Sequence, residues 1–260
     1  MRFYLGTHRP YWLWLNDPPR HPLFVSHRTL GDYKKLRQAT ADWALDSGGF
    51  TELSMFGSWR TTATDYVAAV RRYRDEIGRL AWAAPQDWMC EPFMVAKTGL
   101  SVAEHQRRTV DNLLELRALA PDLPFIPVLQ GWEPGDYLDH VEQYVDAGVD
   151  PTTEATVGIG SVCRRAHLDE MAALIVRLHD DGIRLHGFGI RADGVQRYGW
   201  AMQSSDSLAW SYAGRKRGRV CGGQHKAKSC GNCLVWAQMW ADRTIQSAHV
   251  PVQMTMEVAR

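Results

Sequence analysis

The sequence predicts an α/β fold of the (β/α)8 type, a TIM-like barrel. Eight short apolar or β-rich runs occur along the chain, and amphipathic helix patterns separate several of them. The length of 260 residues suits eight strand–helix units. Alternation at this spacing implies parallel strands joined by right-handed crossovers. A doubly wound open sheet remains the alternative.

The strand-like runs are short, as strands of parallel sheets usually are. In chain order they lie at residues 2–5, 23–27, 42–46, 80–84, 125–129, 156–160, 185–189 and 204–209. Amphipathic helix patterns lie at residues 62–78, 102–119, 136–147 and 167–181. No convincing helix separates the first two strands, so we expect the opening third of the barrel to be irregular.

Composition places the chain among ordinary globular proteins, with 45% hydrophobic and 23% charged residues. No run approaches the roughly 18 apolar residues of a membrane span. His8, Arg9 and Pro10 interrupt the apolar start, which does not fit a signal peptide. The five cysteines are an odd number with three crowded near the end, which argues against a disulfide framework. We therefore expect a cytoplasmic protein without a membrane partner.

Polar residues stand where predicted strands end, which is where a barrel carries its functional groups. Asp46 ends the third run within the motif ALDSGGF, and Asp87 follows the fourth. Gln130 follows the fifth, Gly160 ends the sixth, and Asp206 lies in the eighth. Each residue alone also fits a helix cap or a turn. Together, three carboxylates and an amide at one end of a barrel predict a polar, nitrogen-rich ligand.

A cysteine cluster near the end of the chain is the most specific chemical signal. Residues 221–233 read CGGQHKAKSCGNC, a C-x3-H-x4-C-x2-C pattern. Thiolates and imidazole are preferred zinc donors, so the pattern predicts a structural Zn²⁺ site, with a redox C-x-x-C pair as the alternative. The predicted ligands are Cys221, His225, Cys230 and Cys233.

A basic stretch surrounds the cysteine cluster, although the net charge of the chain is only +1. Such a run alone is usually a solvated loop. Beside Asp206 and a zinc site it predicts contact with the phosphates of a nucleic acid. The residues concerned are Arg215, Lys216, Arg217, Arg219, Lys226 and Lys228.

The order of these motifs resembles the tRNA-guanine transglycosylase superfamily, and within it the DpdA-type deazapurine DNA transglycosylases. The resemblance covers roughly residues 40–235 and rests on DSGGF, the acid after the next strand, LQG, VGIGS, HGFG, the acidic eighth strand and the cysteines. It implies a single barrel domain over residues 1–260, with a zinc-binding insertion at about 214–235. In the family the zinc-binding histidine comes from a following helix, so His249 is the alternative fourth ligand.

The resemblance also implies roles for individual residues. Asp206 matches the nucleophile, and Asp46 matches the acid that handles protons. The remaining matched positions would bind the base: Ser47 and the glycine pair by close approach, Phe50 by stacking, Asp87 at the N–H edge of guanine, Gln130, Gly131 and Gly160 at its carbonyl side, and His186 and Gly187 at its other face. His186 stands where the family often has methionine.

Paired carboxylates suit the implied chemistry. Exchanging a base breaks and remakes a C1′–N9 glycosidic bond, through a transition state with oxocarbenium character. One carboxylate captures the sugar and the other moves the proton of the base, which gives double displacement with retention. The target nucleotide must leave its stack to reach such a site.

The implied reaction exchanges guanine in DNA for a free 7-deazaguanine such as 7-cyano-7-deazaguanine. DNA is preferred over tRNA because the chain is compact at 260 residues and its zinc spacing is altered. A short tRNA-guanine transglycosylase and a catalytically silent zinc-containing nucleic-acid-binding module remain the alternatives. The location would be the host cytoplasm if a phage encodes the protein. The residues leave the oligomeric state, including a homo-oligomer, open.

Overall fold

The computed structural model describes residues 1–162, 165, 169–223 and 225–248. Its described part contains one eight-stranded sheet in which every strand pair is parallel. The α/β class and the eight predicted strands are therefore confirmed. The strands are β1 (Arg2–Thr7), β2 (Leu23–Ser26), β3 (Trp43–Asp46), β4 (Leu80–Ala83), β5 (Val128–Leu129), β6 (Val157–Ile159), β7 (Leu185–Gly187) and β8 (Ser204–Ser207).

The strand order is β4-β3-β2-β1-β8-β7-β6-β5. Every strand except the first and last pairs only with its neighbours along the chain, and β1 pairs with β8, with Tyr4 opposite Asp206. A doubly wound sheet would instead reverse its strand order at a switch point. This order places the first and the last strand side by side in the middle of the ladder.

Helices follow most strands. The four predicted helices are present, and the first two residues of the pattern at 167–181 lie outside the described residues. Short 3-10 helices occupy Pro10–Trp14 and Gly199–Ala201. The α-helices are α1 (His27–Leu30), α2 (Gly49–Phe56), α3 (Ala63–Ile77), α4 (Pro92–Thr98), α5 (Val102–Leu119), α6 (Pro134–Asp146), α7 (Asp169–Asp180), α8 (Ala192–Tyr198), α9 (Ala209–Arg217) and α10 (Leu234–Ser247).

The opening third is irregular, as predicted. Between β1 and β2 the described chain forms only the 3-10 helix, and α1 after β2 has four residues. The longer helices begin at ordinary caps. Thr62 accepts a hydrogen bond from the Asp65 amide at 3.1 Å, and Ser101 does the same for Glu104 at 3.1 Å.

The sheet is curled, because side chains from strands far apart in its order meet across its concave face. The ring of Trp82, in β4, lies 4.6 Å from the ring of His186, in β7. The ring centroid of Tyr4, in β1, lies 5.6 Å from the centroid of each of these two rings. A flat sheet would separate β4 from β7 by five strand spacings of about 4.8 Å each. The aromatic layer therefore fills the inside of a curved sheet.

The two edge strands also approach each other. Ala83, in β4, forms an isolated parallel bridge with Phe125. The Ala83 amide donates to the Pro124 carbonyl at 2.9 Å, and the Ile126 amide donates to Ala83 at 3.2 Å. The strand that follows this bridge, β5, is only two residues long and pairs with β6.

Most of the apolar core lies between the sheet and the helices, where Trp12, Trp43, Trp210 and Trp236 are fully buried. Within the described residues, none of the helices combines the length and the apolar character that crossing a bilayer requires. The inside of the sheet is left for the aromatic layer and, above it, for polar residues at the strand ends.

Candidate active site

A cavity of about 240 Å³ opens at the C-terminal ends of the strands. It lies below the range of about 300–1,000 Å³ common for pockets that hold drug-sized ligands, so it suits a single heterocyclic base. Six of the predicted site residues contribute to its walls. The lining consists of Phe24, Asp46, Gly49, Phe50, Ala84, Asp87, Met89, Glu91, Gln130, Gly160, Ser161, Phe188, Gly189 and Asp206.

The cavity is acidic and aromatic. Among the described residues, its lining contains four carboxylates, including Glu91, and no lysine, arginine or histidine. Three phenylalanines provide flat apolar surface, and one of them, Phe50, is 49% exposed at the opening. A ligand that matches these walls is a flat ring with several N–H donors.

Asp46 is the last residue of β3, and the glycine turn after it shapes its surroundings. Gly48 has φ 85, a left-handed conformation that lets α2 begin directly after the strand. Its amide donates to Asp46 Oδ1 at 3.1 Å. Burial, opposed by this hydrogen bond and one from Ser26, raises the pKa of Asp46, and the charge of Asp206 adds to the rise. Asp46 therefore holds a proton more readily than an exposed aspartate, as an acid–base group needs.

Asp87 lies on the segment after β4, and its carboxylate is held from both sides. Gln130 Nε2 donates to Oδ2 at 2.5 Å, and Ser47 Oγ donates to Oδ1 at 3.4 Å. Burial raises the pKa of Asp87 to about 7, and the charge of Asp46 adds to the rise while the Gln130 hydrogen bond opposes it. Ser47 is buried and does not line the cavity, so its contact with the site runs through Asp87.

Gly160 contributes space rather than hydrogen bonds to the cavity, and Gly131 is not part of its lining. The Gly160 amide donates to the Leu129 carbonyl at 2.9 Å, and its carbonyl accepts from Tyr137 Oη at 2.9 Å. A Cβ at Gly160 would lie 2.3 Å from Gln130 Nε2, so glycine lets the amide side chain cross this position. Gly131 packs against α6, where a Cβ would be 2.9 Å from Tyr137. Among the residues predicted for the carbonyl side, Gln130 supplies the polar side chain.

Asp206 faces the cavity from β8, and its Oδ1 accepts a hydrogen bond from the Gly189 amide at 2.9 Å. His186 lies one layer deeper and is fully buried. Its Nε2 is 3.4 Å from Asp206 Oδ1, and its Nδ1 is 2.8 Å from Ser204 Oγ. His186 therefore supports Asp206 from behind and does not line the cavity.

The aromatic wall on this side is Phe188, which the sequence reasoning did not single out although it lies within HGFG. A Cβ at Gly158 would come 2.5 Å from the Phe188 ring, so that glycine makes room for it. Gly187, predicted to contact the base, instead packs against Ile190 and Met202.

A second cavity of about 370 Å³ adjoins the first and shares Phe24, Asp46 and Asp206 with it. Its chemistry is different, since it contains an arginine, a histidine and four hydroxyl side chains. Arg28 is held by Glu52 at 3.0 Å. The full lining is Gly6, Thr7, His8, Phe24, Ser26, Arg28, Thr29, Asp46, Thr51, Asp206 and Leu208.

Apart from Asp46 and Asp206, the residues of the second cavity were missed by sequence reasoning. Thr7 ends β1 and His8 follows it, while Ser26 ends β2 and Arg28 and Thr29 follow it, in the same strand-end positions as the residues that were found. Their order, THR and SHRT, was therefore an available signal. Burial lowers the pKa of His8, and the positive charges of Arg215 and Arg9 add to this effect. The opening of this cavity is thus close to the basic stretch.

Cys221, His225, Cys230 and Cys233 come together after α9, with ligand atoms within 4.8 Å of one another. His225 Nε2 lies 3.3 Å from Cys230 Sγ, while its buried Nδ1 has no hydrogen-bond partner among the described residues. Three thiols and an imidazole at this separation fit a tetrahedral metal site of the zinc type. His249, the alternative ligand, lies outside the described residues.

The cluster is tied to the helix that follows the Asp206 strand. Ser211 Oγ, in α9, donates to the Gly231 carbonyl at 2.6 Å. Gly214 approaches Cys230 so closely that a Cβ there would be 2.6 Å from its carbonyl. Trp236, in α10, donates to the Trp210 carbonyl at 2.9 Å. The position of α9 therefore depends on the loop that holds the cysteines.

The basic stretch is exposed but not uniform. Arg215, Lys216 and Arg217 form the last turn of α9. Arg219 is already engaged, because its guanidinium donates to the carbonyls of Ala227 at 2.8 Å and Lys226 at 3.1 Å. The Lys226 and Lys228 side chains are exposed on the same loop.

Fold and site together define an α/β protein with an acidic, base-sized cavity at the C-terminal ends of its parallel strands. The family model described as DpdA, DeoxyPurine in DNA protein A, matches residues 1–259, and the chain belongs to this family. The predicted resemblance is thus confirmed, and at family level the protein is a deazapurine transglycosylase of DNA modification. Comparison with curated proteins finds no match.

Proposed function

We propose that this protein exchanges guanine in DNA for a 7-deazaguanine base by double displacement on Asp206. One observation carries the proposal: Asp46 and Asp206 form a wall common to two cavities of different chemistry. The first cavity matches a base and the second matches a sugar with its phosphate. A glycosidic bond is the link between those two parts, so the shared carboxylates would stand beside it.

In the base cavity, Asp87 accepts hydrogen bonds from N1–H and the exocyclic amine of guanine. The Gln130 amide donates a hydrogen bond to the O6 carbonyl, and Phe50 and Phe188 cover the ring faces. Support comes from the position of all four side chains in one lining. Two acceptor oxygens on one carboxylate match two adjacent N–H donors.

The exchange has two balanced steps. Asp206 Oδ attacks C1′ as the C1′–N9 bond breaks, and the departing guanine takes its proton from Asp46. The incoming 7-deazaguanine then gives its N9 proton to Asp46 and attacks C1′, which releases Asp206. Two inversions give net retention. The raised pKa of Asp46 supports its role as the proton carrier.

Phosphate contacts in this proposal come from two regions. Arg28 lies in the second cavity, beside the sugar position, and the lowered pKa of His8 makes that side chain a neutral hydrogen-bonding group there. The last turn of α9, with Arg215, Lys216 and Arg217, continues this positive surface outward, and Lys226, Lys228 and Arg219 extend it along the cysteine loop. Positive side chains around an acidic base pocket would guide the phosphate backbone past it.

We also propose that the sheet closes into a (β/α)8 barrel and that residues 1–260 form one domain with a zinc-binding insertion at about 214–235. The β1–β8 pairing, the Ala83–Phe125 bridge and the contact between β4 and β7 side chains support closure. Zn²⁺ bound by Cys221, His225, Cys230 and Cys233 would supply structural cross-linking of the loop to α9. All four coordination positions of the zinc would be filled by protein ligands, so the proposed reaction steps use only the carboxylates.

The proposal is tested by offering labelled guanine to the zinc-loaded protein with DNA and, separately, with tRNA. We expect label to be retained in DNA. Label retained only in tRNA would assign the protein to the tRNA-guanine transglycosylases. Retention in neither polymer by folded protein that still binds DNA would overturn the proposal in favour of a catalytically silent binding module.

Loss of the metal should destabilise the protein. Cys230→Ser removes the fully buried ligand of the cluster, and we expect it to abolish stoichiometric zinc. If about 3 kcal/mol is lost, the thermal midpoint falls by about 6–12 °C. Cys90→Ser, a buried cysteine outside the cluster, is the matched control for metal content by atomic emission. Full zinc occupancy in Cys230→Ser would contradict the ligand set.

A further inference from the structure

Glu91 is a wall residue of the base cavity that the proposed reaction does not use. It precedes α4, and its Oε2 lies 2.9 Å from Ser161 Oγ. Among the described residues, its carboxylate has no ion pair and no other hydrogen-bond partner. Glu91 is half-buried in the wall of this acidic and aromatic cavity, and its carboxylate is an acceptor that a ligand N–H can reach.

Ser161 connects Glu91 to the residues that would read guanine. Its backbone is left-handed, with φ 58, which turns the side chain toward the cavity wall. Oγ accepts a hydrogen bond from the Cys90 amide at 3.0 Å and lies 2.8 Å from Gln130 Oε1. Asp87, Gln130, Ser161 and Glu91 therefore form one continuous chain of contacts.

When both carboxylates are ionised, this chain of contacts has one hydrogen too few to make every contact a hydrogen bond. Gln130 supplies the hydrogen in its contact with Asp87. Ser161 has a single hydroxyl hydrogen but lies within hydrogen-bond distance of two acceptors, Gln130 Oε1 and Glu91 Oε2. A proton on Asp87 could supply the missing hydrogen only if Gln130 turned its amide around. That proton would also remove the acceptor that guanine requires on Asp87.

We propose that Glu91 is a specificity-determining residue that binds a hydrogen-bond-donating substituent on C7 of the incoming base. The inference rests on the proposed function, since it takes the orientation of the base from Asp87 and Gln130. Along the edge of a purine the N1 and N2 donors come first, then O6, then position 7. Asp87, Gln130 and Ser161 with Glu91 follow one another in the same order along the cavity wall.

The substituent class follows from the charge of Glu91. An aminomethyl group donates to the carboxylate and adds an opposite charge, and Ser161 can then direct its hydrogen to Gln130. A nitrile offers only an acceptor nitrogen, which the carboxylate repels. The protein therefore prefers 7-aminomethyl-7-deazaguanine over 7-cyano-7-deazaguanine as the incoming base.

Competition between these two bases for incorporation into DNA tests the assignment. We expect Glu91→Gln to lower the ratio of kcat/KM for the aminomethyl base to that for the nitrile base by roughly tenfold to a hundredfold, the effect of a hydrogen bond to a charged group. Glu142→Gln, on the exposed side of α6, is the matched control and should leave the ratio unchanged. A ratio that is the same in Glu91→Gln and the original protein overturns the inference.

Guanine exchange separates this inference from the proposed function, because guanine carries no substituent at position 7. Labelled guanine should enter DNA with the original protein and with the control Glu142→Gln. If guanine enters DNA and the substituent ratio does not change, only the assignment of Glu91 fails. If guanine does not enter DNA with the original protein, the proposed function fails.

Discussion

Asp206→Asn should abolish base exchange, with a loss of roughly 10⁴-fold or more, as expected when a covalent nucleophile is removed. An amide does not attack C1′, so the covalent enzyme–DNA intermediate should also disappear. The fold should persist, because Asn Oδ1 can still accept the hydrogen bond that the Gly189 amide now gives to Asp206 at 2.9 Å. The measurement is a denaturing gel of protein incubated with labelled DNA, together with the exchange rate.

Asp139→Asn, an exposed aspartate on α6, is the matched control and should keep both the adduct and the rate. An adduct that survives in Asp206→Asn would move the nucleophile to Asp46, the other carboxylate that faces both cavities. The two assignments differ further in the supporting contacts, since His186 lies behind Asp206, with Nε2 3.4 Å from Oδ1.

The strands could be predicted because each is a short apolar run between helix or turn signals, and all eight observed strands fall at the predicted runs. The lengths of the strands could not be predicted in the same way. The fifth run was predicted at 125–129, but β5 covers only Val128–Leu129. Pro124 and Pro127 have no amide hydrogen to donate to a ladder, so pairing in this segment is reduced to the bridge at Phe125.

The candidate site was predictable where function coincides with a strand end. Asp46, Asp87 and Asp206 were found in this way, and they line one cavity. The depth of a residue inside the sheet was harder to predict. His186 and Phe188 are two positions apart and face the same side, but Phe188 lies nearer the strand end and reaches the cavity, while His186 is fully buried below it.

Glu91 and Ser161 had no signal of comparable strength, because their positions depend on contacts between distant segments. Ser161 contacts the Cys90 amide, 71 residues away in sequence. Gln130 and Asp87 are likewise 43 residues apart. Such contacts follow from the sheet order and from the space that Gly160 leaves for Gln130, neither of which a local pattern encodes.

Asp87→Asn should abolish exchange and at the same time stabilise the fold above pH 7. Asparagine replaces an acceptor oxygen with a donor, so it can no longer receive both N–H groups of guanine, and we expect a loss of at least about 100-fold in kcat/KM, as for a site that leaves buried polar groups unpaired. Gln130 would turn its amide so that Oε1 accepts from the new Asn Nδ2.

The stabilisation follows from the pKa of Asp87, which burial raises from 3.8 to about 7. The folded protein holds this proton between those values while the unfolded chain has released it, so the free energy of unfolding falls as pH rises from about 4 to 7. The limit of this cost is about 4 kcal/mol, at about 1.4 kcal/mol per pKa unit. Asp87→Asn removes the charge, and we expect it to be more stable than the original protein by about 1–3 kcal/mol at pH 8, with a smaller difference at pH 5.

The same ionisation should appear in the exchange rate of the original protein. Guanine needs the ionised carboxylate, so kcat/KM should rise with pH through about 7, the pKa of Asp87. Urea unfolding of both proteins at pH 5 and pH 8, with exchange rates over the same range, measures both effects. Asp87→Asn that is inactive and less stable at pH 8 would indicate that the carboxylate holds the fold together. An inactive but more stable variant would mean that the buried charge is kept for reading the base, at a cost to stability that the neutral amide avoids.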